Sequence, residues 1–212
     1  DAGVRARACN LAGNLCRHSA AFYAPLARSG AIEALVACCA DEDAAARKFA
    51  CFALGNAAFH SDALYAALRP AVPLLAGLLS RAEEDKTRSN AAGALGNLVR
   101  NSASLAAELV DKGAAEALVA VVVDAAEAAA DAAAAAAANG GGRGDGGDTS
   151  DSQSPVKISL FSLGNMCSHA ACRAPLLEMG LAEAIDALAS ASSDATVQKY
   201  CARIQSKAKL RE

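Results

Sequence analysis

A repeated pattern of apolar and polar positions organises the chain. A Gly-Asn pair inside an apolar stretch occurs four times, with its asparagine at Asn14, Asn56, Asn97 and Asn165. Twelve residues after each asparagine stands a leucine, then a glycine or proline, and then a second apolar stretch. Each repeat therefore predicts a short helix, a sharp break, a medium helix, a polar turn and a long helix that carries the Gly-Asn pair.

The spacing of this pattern predicts the fold class. Successive asparagines are 42, 41 and 68 residues apart, which indicates a repeat array with one insertion. A period of about 40 to 47 residues is typical of HEAT and armadillo solenoids, and three helices per unit favour the armadillo type. We therefore predict an all-α protein, a right-handed armadillo-type helical solenoid of about four repeats preceded by a lone third helix.

The predicted repeats are divided by a low-complexity insertion. Residues 1–124 hold a partial unit (1–18), two full units (19–60 and 61–101) and the start of a third (102–124), and residues 154–212 hold the remaining helices and a C-terminal cap. The insertion, 125–153, begins with twelve alanines in fourteen residues, which favours extending the preceding helix. Its second half is rich in glycine, and we predict that it is disordered.

Composition and charge exclude several functions. Apolar residues make up 54% of the chain and aromatic residues 4%, so the core must consist mainly of alanine, leucine and valine. The net charge of −3 comes without a basic cluster, so we expect neither nucleic acid nor membrane as a partner. Because the chain begins at Asp1 inside a predicted helix, we expect it to be part of a longer protein.

The eight cysteines predict buried apolar positions rather than chemistry. Two residues after the asparagines stand Cys16, Ala58, Val99 and Cys167, so cysteine exchanges with small apolar residues. Zinc or thiol chemistry at Cys167, His169 and Cys172 is the enzyme-class alternative, but four ligands at accepted spacing are missing. We expect no catalytic residue, metal or cofactor, and a reducing, cytoplasmic location.

The candidate partner-binding residues lie on the third helices, which line the concave face of such solenoids. They are Asn14, Arg17, His18, Phe49, Phe52, Asn56, His60, Asn97, Arg100, Asn101, Phe161, Asn165 and His169. In the last helix the same side carries Tyr200, Arg203 and Lys207, with the lysine where an asparagine is expected.

Two roles are open for the asparagines. The ladder of amides could hydrogen-bond the backbone of an extended peptide, or the surface could hold a partner helix. Alternatively, each amide bonds a neighbouring carbonyl, and the glycine before it only permits close helix packing. Separately, Ser154 precedes Pro155 at the start of a predicted helix, which makes it a candidate phosphorylation site.

Longer segments resemble one protein family. RKFACFALGNAAFHSDALY at 47–65 and RAEEDKTRSNAAGALGNLVRNS at 81–102, with 13–30 and 154–173, resemble the C-terminal armadillo region of the Fused serine/threonine kinases, closest to the plant form. The resemblance implies a kinase domain N-terminal to this region, which would be a regulatory, partner-binding arm. Kinase motifs are absent from these 212 residues, so we expect no kinase activity in them.

The resemblance also implies partners and a location. It implies roles in cytokinesis and microtubule assemblies in plants, or in Hedgehog signalling and cilia in animals. The partner would be a kinesin-like or other cytoskeletal protein, or the upstream kinase domain in cis, in the cytoplasm or at the cytoskeleton or cilium. The alternative is an adaptor like the nuclear-import receptors, whose groove has a tryptophan one turn before each asparagine; here Asn10, Phe52, Gly93 and Phe161 stand there.

Overall fold

Every regular element that the structure describes is helical. The computed structural model describes residues 1–138 and 154–208, and within these ranges no strand occurs. The helices are α1 Ala2–Cys16, α2 Tyr23–Arg28, α3 Ala31–Cys38, α4 Ala44–Ala57, α5 Tyr65–Leu68, α6 Val72–Gly77, α7 Asp85–Asn97, α8 Ala106–Asp111, α9 Ala114–Ala138, α10 Pro155–Met166, α11 Ala170–Glu178, α12 Leu181–Ala191 and α13 Ala195–Ala208. Short 3-10 turns occupy Ala20–Phe22 and Arg69–Ala71.

The helices follow the predicted three-helix order. In three units the break between the first and second helix is a glycine with positive φ, namely Gly30, Gly113 and Gly180. Glycine suits this position because a Cβ would clash in the left-handed region. In the remaining unit a 3-10 turn containing Pro70 makes the break. The third helices α4 and α10 begin at polar caps, since Asp43 and Ser154 accept hydrogen bonds from backbone amides of the first turn.

The five third helices, α1, α4, α7, α10 and α13, pack side by side in chain order. Their leucines, such as Leu54, Leu95 and Leu163, are buried against leucines of the first and second helices. Each unit thus buries its apolar side partly within itself and partly on its neighbours, which gives one continuous core. The predicted all-α armadillo-type solenoid is confirmed.

The alanine-rich part of the insertion lengthens one second helix. Helix α9 runs from Ala114 to Ala138, because a run of the strongest helix former continues the helix past the end of its packed part. The glycine-rich second half lies outside the described residues, as do residues 209–212, so its disorder stays a prediction.

The cysteines lie at packed positions. Seven of the eight are buried, and all eight are free thiols. Burial raises the pKa of Cys16, Cys167 and Cys201 to about 11, which keeps these thiols protonated and poorly nucleophilic.

In residues 1–138 and 154–208 no three His, Cys, Asp or Glu side chains form a group that could hold a metal ion. No helix in these ranges combines the length and the apolar character that a membrane span needs.

Ion pairs join the outer edges of neighbouring units. Arg5 contacts Asp41 with its Nε 2.5 Å and its Nη2 2.8 Å from the two carboxylate oxygens, and Arg47 contacts Glu83 in the equivalent way one unit later. In both pairs the arginine is nine residues before its Gly-Asn asparagine. The hydrogen bond from Arg5 lowers the pKa of Asp41 to about 2. These pairs connect α1 and α4 to the turn that precedes the next third helix.

Acid is expected to weaken the fold through these carboxylates. A group whose pKa is lowered on folding stabilises the protein above its ordinary pKa, here 3.8, and this contribution is lost as the pH falls towards the folded value. The free energy of unfolding should therefore fall between about pH 5 and pH 2. An Asp41→Asn variant should be less stable than the parent at pH 7, and the difference should vanish near pH 2. The same difference in melting temperature between the parent and the variant at every pH would contradict this.

Candidate functional site

The candidate site is the third-helix face, the surface formed by α1, α4, α7, α10, α13 and the residues that follow their C-terminal ends. All thirteen predicted partner-binding residues lie on this face. The structure therefore brings the predicted set together on one surface, and the contacts of each side chain show what it does within the protein.

Three asparagines bind across the repeat junctions. The Nδ2 atoms of Asn56, Asn97 and Asn165 donate to the carbonyl of the glycine in the preceding Gly-Asn pair, at 3.0, 3.0 and 3.3 Å. Helix ends explain this geometry, because the last carbonyls of a helix have no donor within it. For example, the amide of Phe59, four residues after Gly55, donates to the carbonyl of Asn56 instead. Asn97 thus supplies the donor that the Gly55 carbonyl lacks.

The last unit keeps this contact with a different residue. Lys207, which replaces the asparagine, places its Nζ 3.0 Å from the carbonyl oxygen of Gly164. Asn14, at the opposite end, has no preceding unit among the described residues, and its Nδ2 donates to Asn10 O in its own helix at 3.0 Å. The recurring requirement at this position is therefore a donor for the preceding unit.

The residues four positions later form a second row of contacts. His60 Nε2 donates to Arg17 O at 3.0 Å, Asn101 Nδ2 to Phe59 O at 3.0 Å, and His169 Nε2 to Val99 O at 2.6 Å. Each junction between these third helices thus has two side-chain donors that bind free carbonyls of the preceding helix end. The alternation of His and Asn is explained, since both present an N–H at this distance. His18 is exposed.

Two tyrosines that sequence reasoning missed complete these helix ends. The Tyr23 hydroxyl donates to Asn56 O at 2.6 Å and accepts from the His60 backbone amide at 3.2 Å. Tyr65 makes the same pair of contacts with Asn97 O and the Asn101 amide. The sequence does contain a signal for this role, because both tyrosines stand nine residues after the asparagine of a Gly-Asn pair.

Removing the Tyr65 hydroxyl should measurably destabilise the protein. Tyr65 is 2% exposed, so Tyr65→Phe leaves a carbonyl and an amide with fewer partners, and we expect a loss of about 1 kcal/mol in the free energy of unfolding. Tyr200→Phe is the control, because no hydrogen bond of its hydroxyl occurs within the described residues; its effect should be close to zero. Denaturant titration of the two variants measures the difference, and equal losses would contradict the capping role.

The aromatic residues line cavities along the face. Phe49 and Phe52 border a cavity of about 310 Å³ with Lys48 and Lys86, and Phe52 also borders a neighbouring cavity of about 460 Å³. Phe161 lies in a third, of about 350 Å³, beside Arg203. Sequence reasoning had not singled out Lys48 and Lys86.

Side-chain oxygens on this face remain available to a partner. Asn56 and Asn97 use an amide hydrogen for the preceding unit, but their Oδ1 atoms accept no hydrogen bond from the residues that the structure describes. Arg17 is exposed, and the Arg100 guanidinium lies 3.9 Å above the centre of the Phe59 ring. The asparagines therefore serve the fold and can still accept from a bound chain.

Ser154 lies at the start of a third helix. Its Oγ accepts from the Lys157 amide at 3.3 Å, so it caps α10, and it is half-buried. Its phosphorylation stays a prediction.

Comparisons with known proteins agree with this architecture. An Armadillo/beta-catenin-like repeat family model matches residues 66–100. The chain is 43% identical to the serine/threonine-protein kinase TIO of Arabidopsis thaliana over 174 residues, and these make up 82% of the chain. The predicted resemblance is thereby confirmed. The chain spans only 12% of the length of that kinase.

Two solved structures show the same fold. An engineered protein matches with a TM-score of 0.78 and 23% identity over 99% of this chain and 45% of its own. A computationally designed armadillo repeat protein for modular peptide recognition matches with a TM-score of 0.72 and 17% identity, over 94% of this chain and 73% of its own. At these identities the likeness concerns the fold.

Proposed function

We propose that the chain is the non-catalytic, partner-binding region of a Fused-type kinase, because it is an armadillo-repeat segment homologous to part of the serine/threonine-protein kinase TIO. The described residues supply no strand, whereas the glycine-rich loop and lysine of a kinase site are carried on strands. Its contribution to such a kinase would then be recognition and regulation.

The observation that carries the proposal is the row of cavities along the third-helix face. A binding surface needs apolar pockets combined with unsatisfied polar groups. The aromatic rings of Phe52 and Phe161 provide apolar surface within the cavities, and the side-chain oxygens of Asn56 and Asn97 provide the polar groups. An extended peptide would donate its backbone amides to these oxygens while its side chains enter the cavities.

The partner that we propose is a protein of the cytoskeleton. By analogy with the Fused family, it would be a kinesin-like or other microtubule-associated protein acting in cytokinesis or at a cilium, with the complex in the cytoplasm. The kinase domain of the same polypeptide is the other proposed occupant, and its binding in cis would couple partner binding to kinase regulation.

A nuclear-import function is disfavoured by the electrostatics of the face. Import signals are rich in lysine and arginine, and they need carboxylates near the asparagines. The three cavities are lined by several cations and by no aspartate or glutamate of the described residues. A basic peptide would therefore meet like charge.

Site-specific photocrosslinking tests the proposal. A benzophenone amino acid is placed at position 52 or 161 in the kinase polypeptide expressed in its own cells, with position 33, exposed on α3, as the control. We expect adducts from the first two positions only. An adduct with a second polypeptide identifies a partner, and an adduct within the chain identifies contact in cis. Absence of adducts at both positions, or equal adducts at 33, would contradict a partner-binding face.

A further inference from the structure

The charged side chains that border the three cavities described above are of one sign. The three cavities are bordered by Arg17, Lys48, Lys86, Arg100, Arg203 and Lys207, and no carboxylate borders any of them. The chain as a whole carries a net charge of −3, so the lining of these cavities has the opposite sign to the whole chain. The three cavities are therefore electropositive sites on an acidic protein.

Most of these cations have no counter-ion. Lys48 pairs with Glu84 at 2.9 Å, but the other five have no carboxylate within 4 Å among the described residues. By contrast, arginines at the outer edge, such as Arg5 and Arg47, are paired across the junctions. The unpaired cations thus belong to the lining of the cavities.

The cavity at Phe161 holds its cations in fixed positions. Arg203 donates from Nη2 to Asn165 Oδ1 at 2.7 Å, and its guanidinium carbon lies 5.3 Å from the centre of the Phe161 ring. Lys207 binds the Gly164 carbonyl. Both side chains are oriented by neutral acceptors, so their positive charge is not compensated. Burial and the nearby Arg203 lower the pKa of Lys207, which fits a site where folding gathers like charge.

Carboxylates are the groups that would complete this surface. An anion placed between two oriented cations gains charge-assisted hydrogen bonds without having to order the cations first. The central cavity adds the exposed Arg17 and Lys86 beside the free oxygens of Asn56 and Asn97. Cations thus lie beside side-chain oxygens that can accept hydrogen bonds from the backbone of a peptide.

We infer that the third-helix face recognises an extended peptide segment rich in aspartate and glutamate, with intervening apolar residues that enter the cavities at Phe52 and Phe161. The inference rests on the proposed function, since it names the chemistry of the partner for the same face. The peptide backbone lies against the asparagines, and its carboxylates lie against the unpaired cations.

The test compares two peptides on three proteins. One labelled peptide alternates glutamate with leucine and phenylalanine, and the other carries lysine in place of each glutamate. They are titrated into the chain, into a groove variant with Arg17→Glu and Lys86→Glu, and into a control variant with Arg28→Glu and Lys112→Glu. The control makes the same change in net charge at exposed residues away from the third-helix face.

We expect the acidic peptide to bind the parent and the control, and the groove variant to bind it about tenfold more weakly or worse. The lysine peptide should bind the parent more weakly than the acidic peptide and should gain affinity for the groove variant. Binding of the acidic peptide should also weaken as salt is added.

Three results would overturn the inference. They are equal or absent binding of the two peptides by the parent, tighter binding of the lysine peptide, and equal loss of affinity in the groove and control variants. The proposed function is tested separately, by the photocrosslinking experiment. Crosslinks at positions 52 and 161 to a segment without acidic residues would retain a partner-binding face and reject its preference for carboxylates.

Discussion

Gly96→Ala is expected to lower the free energy of unfolding by about 2 kcal/mol, because overpacking of a tight helix contact outweighs the higher helix propensity of alanine. A Cβ on Gly96 would lie 2.2 Å from Ser162 Oγ and 2.7 Å from Ser162 Cα. The serine side chain is held by its hydrogen bond to Ala92 O at 2.8 Å, and Cα belongs to the backbone, so α7 and α10 would have to separate.

Gly55→Ala is the matched control at the equivalent position one unit earlier. Its Cβ would meet Ala94 no closer than 3.5 Å, which is ordinary van der Waals contact. Because alanine is favoured over glycine inside a helix, this variant should be unchanged or more stable by up to about 1 kcal/mol. Denaturant titration of both variants measures the difference. Similar losses in the two would show that glycine is needed for a reason other than the close approach of α7 and α10.

This pair of glycines marks a limit of sequence reasoning. The recurrence of Gly-Asn predicts that both residues lie in the third helix, and this is confirmed in every unit that has the motif. Whether a given glycine is required depends on the residue it meets, which is Ser162 for Gly96 and Ala94 for Gly55. Those partners are one unit away, and the exact distance between the helices is set by packing.

The sequence alone does not decide between the two roles of the asparagines, partner binding and donation to the preceding unit, for a similar reason. An amide on a third helix can point to a partner or to the preceding unit, and the periodicity is identical in both cases. Lys207 was the informative exception in the sequence, since a lysine can donate to a carbonyl but cannot accept from a peptide amide. Its contact with the Gly164 carbonyl shows that donation across the junction is the feature shared by the four positions that follow another unit.

The charge of the three cavities could be predicted from the sequence only in part. The unpaired cations come from different positions in their repeats: Arg17 and Arg100 lie three residues after an asparagine, whereas Lys86 lies eleven before one. The repeat pattern connects Arg17 with Arg100 but not with Lys86, and the acidic residues elsewhere give the chain a negative net charge. Only the packing of the third helices shows that Lys86 lies beside Arg17 in one cavity.

Asn97→Ala tests directly whether the asparagines stabilise the solenoid. The substitution removes the donor to the carbonyl of Gly55, which is buried at the end of α4. A buried carbonyl that loses its hydrogen bond costs about 1 to 3 kcal/mol, and the better helix propensity of alanine returns only about 0.6 kcal/mol. We therefore expect the free energy of unfolding to fall by roughly 1 to 2 kcal/mol.

Asn14→Ala supplies the comparison, because Asn14 has the same place in its repeat but is exposed and bonds only within α1. We expect a change within about 0.5 kcal/mol. Chemical denaturation of the two variants separates the explanations. A large effect at 97 with none at 14 means that the asparagine acts by capping the preceding unit. If both variants keep the parent's stability, the amides do not support the fold, and their recurrence would then have to come from partner binding alone.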